Sequence, residues 1–248
     1  MLAYISLTLL LLQGLVSANP VGQPWNDDPA PDMQKIIDEY KGLTEPVTVD
    51  HILKNMDHLA ELNKLIAAWL KTEGLDYLSG MVEKGSGDGK KGIQEAIDAI
   101  NKEPEPLKKQ DTMELGISTE YMTQSSDISY KARKGTHIVV KGTAAELQKQ
   151  FVETRTKIMG LLQKAIDKEK SMPDKQFWYQ LHQVMKTVMT QAFAQLDSDV
   201  AKITPETTKT KTLQALADFA EMMWKAVNVI RIPTKPPMIV DDEADLMG

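Results

Sequence analysis

Two acid and imidazole pairs are the residues of this chain whose types and spacing most suggest chemistry. Asp50 and His51 are followed seven positions later by Asp57 and His58. Imidazole and carboxylate groups are zinc ligands, but a site needs three or four of them to converge. Seven residues along a helix return to the same face about 10 Å further along the axis, which is too far for both imidazoles to share one ion. We therefore interpret both histidines as surface residues and predict no metal site and no cofactor.

A glycine-rich stretch over 85–92 has the composition of a phosphate-binding loop. The nucleotide motif needs a glycine five positions before its Gly-Lys pair and a hydroxyl residue directly after it, but Lys84 and Lys91 stand at those positions. It also needs a preceding strand, whereas the residues before it have a helical pattern. We predict a flexible linker or hinge here.

Nucleophilic catalysis finds no support in the residue types. The chain has no cysteine and no Gly-x-Ser-x-Gly elbow, and its four histidines lack the sequence neighbours that would mark a triad. Its 35 acidic residues make chance carboxylate pairs inevitable, and a charge-rich helix face is normally a solvated one. We predict a non-enzymatic protein without catalytic residues.

Methionine and aromatic residues are concentrated near the end of the chain, on its last two predicted helices. Thioether side chains are flexible and polarizable, so this composition suits a pocket for apolar ligands of varied shape. The same side chains would also fill the core of a helical bundle, which a stripe at helical spacing needs in order to fold. The candidate ligand-binding residues are Trp178, Met185, Met189, Phe193, Met223 and Trp224.

The first half of the chain is predicted to form helices around a loop. Apolar residues recur every three or four positions from Val49 to Leu70, and Thr48 or Asp50 can cap this helix while Gly74 ends it. A short amphipathic piece over 75–82 and a brief helix over 93–100 follow.

Two later stretches lack a helical pattern. Residues 104–117 are predicted to be a loop and a boundary between two helical halves, because a helix rarely continues into a proline. Residues 128–141 contain alternating and β-branched runs, which favour a small hairpin or an ordered loop equally. Basic residues flank this region, and they suit the acidic tail, an anionic lipid surface or an acidic partner: Lys131, Arg133, Lys134 and Lys141.

Three strong helices complete the predicted fold. Thr143 and Glu146 form a capping box for the first, which runs to about Lys170; Pro173 begins the second; and Thr204 with Pro205 begins the third. Amphipathic helices joined by short turns must cover each other's apolar faces, so we predict an all-α bundle of five to six helices.

The ends of the chain predict export. Residues 1–18 have the apolar run and the small-residue exit of a signal peptide, followed by a proline-rich extended arm over 19–32, a helical domain over 33–232 and a disordered acidic tail over 233–248. A secreted chain without cysteine must hold its fold by its core alone, and some 230 residues suffice for that. The net charge of −6 argues against a nucleic-acid partner.

These observations predict a secreted, extracellular, non-enzymatic binding protein that carries an apolar small molecule or lipid. The alternative is a secreted protein-interaction or structural factor that acts on an extracellular protein through its loops and tail. A third, less favoured hypothesis is a membrane-active helical protein, although no segment beyond the leader is long and apolar enough for a stable transmembrane span.

Overall fold

The computed structural model describes residues 47–133 and 136–229. Six α-helices and one short 3-10 turn occupy these ranges, and no strand is present within them, so the predicted all-α bundle is confirmed. The predicted signal peptide, the extended arm over 19–32 and the tail over 233–248 lie outside the described residues. These segments therefore stay predictions. The predicted boundary between two helical halves at 104–117 lies within the described residues, and as a domain boundary it also stays a prediction.

The first two helices form an antiparallel pair. α1 spans Val49–Thr72 and begins with Thr48, whose side-chain oxygen accepts a hydrogen bond from the backbone N–H of His51 at 3.2 Å. α2 spans Asp76–Ile100 and follows after a tight turn in which Gly74 has a φ of +74°, a value that L-residues rarely adopt. The predicted cap and the predicted end of α1 are both confirmed.

The predicted flexible linker over 85–92 is wrong, because these residues form the middle of α2. Gly85, Gly89 and Gly92 are buried and follow one another at the three- and four-residue spacing of a helix face. Their small size brings the helix close to its neighbours, and tertiary packing then outweighs the poor helix propensity of glycine.

The predicted loop over 104–117 is also wrong, because α3 spans Glu105–Arg133. Prolines are tolerated in the first turn of a helix, where no intrahelical N–H is required, so Pro104 and Pro106 begin this helix rather than exclude it. Its inward face follows a four-residue period but is largely polar, which is why apolar periodicity did not reveal it. That buried face consists of Asp111, Leu115, Thr119, Thr123 and Ser126.

The predicted hairpin over 128–141 is wrong within the described residues. Residues 128–133 are the last turns of α3, and 136–143 form an irregular connection that is neither helix nor strand, with a bend at Gly142. The ordered-loop alternative therefore describes 136–143, where Ile138 meets helices rather than a second strand.

The last three helices lie close to their predicted positions. α4 spans Ala144–Glu169 and begins with the predicted capping box between Thr143 and Glu146. A 3-10 turn over Pro173–Lys175 leads into α5, which spans Gln176–Ala201, and α6 spans Glu206–Val229. Residues 212–217 of α6 are all buried, including the polar Thr212 and Gln214, so α6 is the central helix of the bundle.

The apolar core has two parts. The larger one joins residues of α1, α2, α4, α5 and α6 with Ile138 of the irregular connection. The smaller one joins the first half of α1 and the second half of α2 with Leu115 of α3. Leu65 of α1 and Val184 of α5 are exceptions among the large apolar side chains, because they are 46% and 40% exposed.

The helical state of the glycine-rich stretch can be tested by substitution. Gly87 is exposed in α2, and no atom lies within 4 Å of the position that a Cβ would take. Gly87→Ala should raise the free energy of unfolding by about 1 kcal/mol, because alanine loses less backbone entropy in a helix. Urea unfolding followed by circular dichroism measures this value.

Gly74→Ala is the control with the opposite sign, because its φ of +74° disfavours a side chain. We expect it to lower the free energy of unfolding by about 1 kcal/mol. An unchanged stability for Gly87→Ala would indicate a linker rather than a helix.

Candidate functional site

The histidines lie apart from one another, each beside a carboxylate or in solvent. Nε2 of His51 is 2.7 Å from Glu120 of α3, whereas His58 is exposed on α1. Nδ1 of His182 on α5 is 2.8 Å from Oε2 of Glu169 at the end of α4. In the described ranges 47–133 and 136–229, no three histidine, aspartate or glutamate side chains are grouped so that they could hold a metal ion.

The five candidate ligand-binding residues whose side chains the structure describes are spread along α5 and α6. Met189 and Phe193 are buried in the larger core, where Phe193 packs edge-to-face on Phe151 with ring centroids 6.0 Å apart. Trp224 packs against the same core from α6, and Met185 is half-buried on α5. The side chain of Met223 lies outside what the structure describes.

Trp178 lies at the start of α5, far from Phe193. It is fifteen residues before Phe193 on the same helix, which is about 22 Å along the axis. Its indole Nε1–H donates a hydrogen bond to Oδ1 of Asp111 at 2.8 Å, which links α5 to α3. The apolar-carrier hypothesis stays a prediction, and these positions give it no common cavity.

Asp111 belongs to a group of carboxylates that sequence reasoning missed. Its side chain is buried and hydrogen-bonds to the carboxyl of Glu103, while Glu114 lies near it and forms an ion pair with Lys175. Burial, the hydrogen bond with Glu103 and the charges of Glu103 and Glu114 raise the pKa of Asp111 to about 7, against a smaller opposing effect of Trp178. Much of Asp111 therefore stays protonated up to near neutral pH.

A second buried carboxylate, Glu73, connects three elements at the end of α1. Its Oε1 is 2.6 Å from Nδ1 of His137, and its Oε2 accepts hydrogen bonds from Nζ of Lys211 at 2.7 Å and from the N–H of Ile138 at 3.3 Å. Lys211 also donates to the backbone oxygen of Glu73 at 3.0 Å. Burial raises the pKa of Glu73, but the hydrogen bonds from Lys211, His137 and Ile138 lower it more. The pKa of the carboxyl is therefore below its ordinary value.

The irregular connection 136–143, which we name the tethered segment, is held along its length by side chains. The indole N–H of Trp69 donates to the Thr136 oxygen at 3.3 Å, and Glu73 accepts the N–H of Ile138. The N–H of Lys141 donates to Oε1 of Gln214 on α6 at 2.8 Å. The side chain of Ile138 enters the larger core. The segment is thus fixed without belonging to a sheet.

The outer side of the tethered segment is open. Val139 and Val140 are 49% and 43% exposed, the first of these being the largest exposure of any large hydrophobic residue in the described ranges. Among the described residues, no hydrogen bond engages the backbone N–H or C=O of either valine. Two adjacent apolar side chains of a fixed connection are therefore exposed, beside backbone groups that have no partner among the described residues, and such groups can pair with another chain.

A polar groove of about 320 Å³ adjoins the end of the tethered segment. Lys141, Glu146, Leu147 and Gln214 contribute to its walls. Oδ1 of Asp218 on α6 accepts a hydrogen bond from the Gln214 amide at 2.7 Å, so part of its polar lining is already paired. None of the candidate apolar-ligand residues lines this groove, and its polarity is unlike that of a lipid cavity.

Comparison with known proteins gives no assignment. No protein-family model, curated protein or solved structure matches this chain. In the described part of the chain, no helix has both the length and the apolar character that crossing a bilayer requires. The function must therefore be inferred from the chain's own geometry.

The Asp111 group predicts an unusual dependence of stability on pH. Its pKa is raised from 3.8 to about 7 in the folded state, so folded Asp111 retains a proton that unfolded Asp111 has lost. This difference destabilises the wild type progressively as the pH rises from 4 to 7, and the loss is complete above the folded pKa. Asp111→Asn stays neutral and keeps both a donor for Glu103 and an acceptor for Trp178.

We expect Asp111→Asn to be more stable than the wild type by on the order of 2 kcal/mol at pH 8, with a gain that grows between pH 4 and 7 and then stays constant. Urea unfolding at several pH values measures the difference. Asp98→Asn changes an exposed aspartate on α2 and is the control. A gain that is independent of pH would contradict the raised pKa.

The Glu73 interactions predict the opposite dependence. The pKa of Glu73 is lowered in the folded state, so its contribution to stability is complete above the ordinary value of 4.5 and is lost as the pH falls through the folded value. Glu73→Gln should lower the free energy of unfolding by about 2 kcal/mol at pH 7, and the difference from the wild type should shrink in acid.

Asp57→Asn is the matched control for Glu73→Gln, because it breaks the exposed ion pair between Asp57 and Lys90, whose atoms are 2.6 Å apart. Exposed pairs contribute less than about 1 kcal/mol. Equal losses in the two variants would show that burial of the Glu73 group adds nothing.

Proposed function

We propose that this chain is a secreted, non-enzymatic binding protein that recognises a partner protein through the tethered segment. A single observation supports this proposal: side chains of α1 and α6 hold the segment, while Val139 and Val140 are exposed and their backbone groups have no partner among the described residues. Export itself is proposed from the leader over 1–18.

Recognition would proceed by addition of a strand. An extended peptide that lies along the segment can form main-chain hydrogen bonds with the N–H and C=O groups of one of the two valines, because adjacent residues of a strand direct these groups to opposite edges. Main-chain bonds supply affinity for any extended chain. The two valine side chains would lie on opposite faces of the pair, so contacts with them favour adjacent apolar residues in the peptide.

Fixing the segment in advance favours such binding. A peptide that pairs with a disordered loop must also restrict that loop, which costs about 1–2 kcal/mol for each residue ordered. Trp69, Glu73 and Gln214 already restrict the tethered segment in the free protein. The partner therefore bears only the cost of ordering its own chain.

The proposal can be tested by photo-crosslinking from the segment. In the full chain, Val140→benzoylphenylalanine places a reactive group on the open side, and Leu65→benzoylphenylalanine places one at a similarly exposed position of α1. After irradiation in extracellular fluid from the source, crosslinked products are identified by mass spectrometry. We expect position 140, but not position 65, to capture a defined extracellular protein through an extended stretch of that protein.

A second substitution checks the role of the neighbouring valine. Adding Val139→Asp to the chain that carries the reactive group at 140 should reduce capture by at least about tenfold, because an ionised carboxylate would have to be buried against the added strand. The same products from positions 65 and 140, or capture unaffected by Val139→Asp, would contradict recognition by the tethered segment.

A further inference from the structure

α3 is held weakly by the rest of the bundle. Among its described side chains, Leu115 is the one large apolar residue that is buried, and it belongs to the smaller core. The hydroxyls of Thr119 and Thr123 donate to backbone oxygens, and the buried Oγ of Ser126 has no hydrogen-bond partner among the described residues. Polar groups buried in this way add little to stability, so we expect α3 to separate from its neighbours more readily than the other helices.

Two side-chain contacts join α3 to the start of α5. The indole N–H of Trp178 donates to Oδ1 of Asp111 at 2.8 Å, and Lys175 of the 3-10 turn pairs with Glu114. Behind these contacts, Phe177 packs against the smaller core and meets the ring of Trp178 edge-to-face, with centroids 5.5 Å apart. Separation of α3 from α5 would therefore uncover two aromatic side chains.

The surroundings of Asp111 suit a neutral carboxyl rather than an ionised one. Asp111 is 2% exposed and hydrogen-bonds to the carboxyl of Glu103, of which Oε2 is buried without a partner among the described residues. A hydrogen bond between two carboxyls needs a proton on one of them, and two adjacent negative charges away from water are very unfavourable. Lys175 opposes the charge of Glu114. The bond from Trp178 lowers the pKa of Asp111, but burial and the two acidic neighbours raise it more.

A second titratable side chain lies on the α5 side of this contact. The ring centroid of His182 is 5.7 Å from that of Trp178, and its Nδ1 is 2.8 Å from Oε2 of Glu169 on α4. Towards α1 and α2, Leu115 of α3 joins apolar side chains of the smaller core. A pH response of the contact between α3 and α5 can therefore come from Asp111 or from His182, and substitutions distinguish the two.

The connectivity of the chain decides which contact gives way. Glu103 lies in the short connection 101–104 between α2 and α3, where its N–H donates to the backbone oxygen of Ile100 at 3.0 Å. Glu103 therefore stays close to Asp111. The start of α5, by contrast, comes from a distant part of the chain and meets Asp111 through the side chain of Trp178. Parting from α5 is thus the way in which an ionised Asp111 regains water.

From the buried acid pair, the weakly held helix and these side-chain contacts, we infer that α3 and α5 form a pH-controlled joint, which is closed while Asp111 carries a proton and opens when Asp111 ionises. Opening uncovers Phe177 and Trp178. The joint is independent of the tethered segment, so it adds a conformational response to pH that the proposed function does not require.

Two spin labels measure the opening of the joint. The chain has no cysteine, so Lys109→Cys with Gln180→Cys labels two exposed positions, one on α3 and one on α5. In the full chain, pulsed electron–electron double resonance should give one distance at pH 5 and an additional, longer distance at pH 8. The ratio of open to closed molecules should rise by up to about tenfold per pH unit between pH 5 and 7 and stay constant above, because closed Asp111 keeps a proton that hydrated Asp111 has lost.

Three variants of the labelled chain assign the response. Asp111→Asn stays neutral and should keep the short distance at both pH values. Glu103→Gln removes an adjacent charge and can donate to ionised Asp111, so the ratio of open to closed molecules at pH 8 should fall at least about threefold. His182→Gln should leave the ratio unchanged.

A second pair of labels shows that the bundle stays folded. Lys54→Cys with Lys91→Cys labels exposed positions of α1 and α2, and this distance should not change with pH. A distance between positions 109 and 180 that is the same at pH 5 and pH 8 would overturn the inference. So would a response that persists in Asp111→Asn, one that disappears in His182→Gln, or one that the pair on α1 and α2 shares, since the effect of pH would then act elsewhere or on the whole fold.

Discussion

The ionised carboxylate of Glu73, buried at the end of α1, is the constraint on which the arrangement around the tethered segment depends. A charge removed from water is very unfavourable unless other groups replace its hydrogen bonds. Lys211 of α6, His137 and the N–H of Ile138 replace them. Because all three must be present together, the direction of the segment, the end of α1 and the position of α6 are fixed relative to one another. Ile138 then enters the core, while Val139 and Val140 stay exposed.

Helices with an apolar stripe could be predicted from the sequence, and the others could not. α1, α4, α5 and α6 begin and end near their predicted residues, since their caps and apolar spacing agree. α3 was missed because the face that it buries carries Asp111 and three hydroxyl residues in place of leucines. The glycines of α2 were misread because their local preference for a turn is overridden by packing, which a single sequence does not display.

The candidate site was accessible to sequence reasoning only in part. The β-branched run Ile138–Val140 indicated an extended backbone, but nothing in its types shows that it meets helices rather than a second strand. Glu73 follows the last turn of α1, where a carboxylate is usually solvated, so its burial depends on Lys211, which lies 138 positions later. The apolar-ligand residues were grouped by composition, whereas their separation along α5 is a matter of helix geometry that the sequence already contained.

The way in which the segment is held also explains why it stays open. In a sheet, the backbone groups on one edge of a strand bond to a neighbouring strand, and a further strand can pair with the other edge. Here those groups bond to the side chains of Glu73 and Gln214, which satisfy single N–H groups and cannot continue a ladder. The backbone groups of Val139 and Val140 are therefore without a partner among the described residues. Unpaired backbone groups beside exposed apolar side chains invite pairing with another chain, and short length and a flanking lysine such as Lys141 limit that tendency only in part.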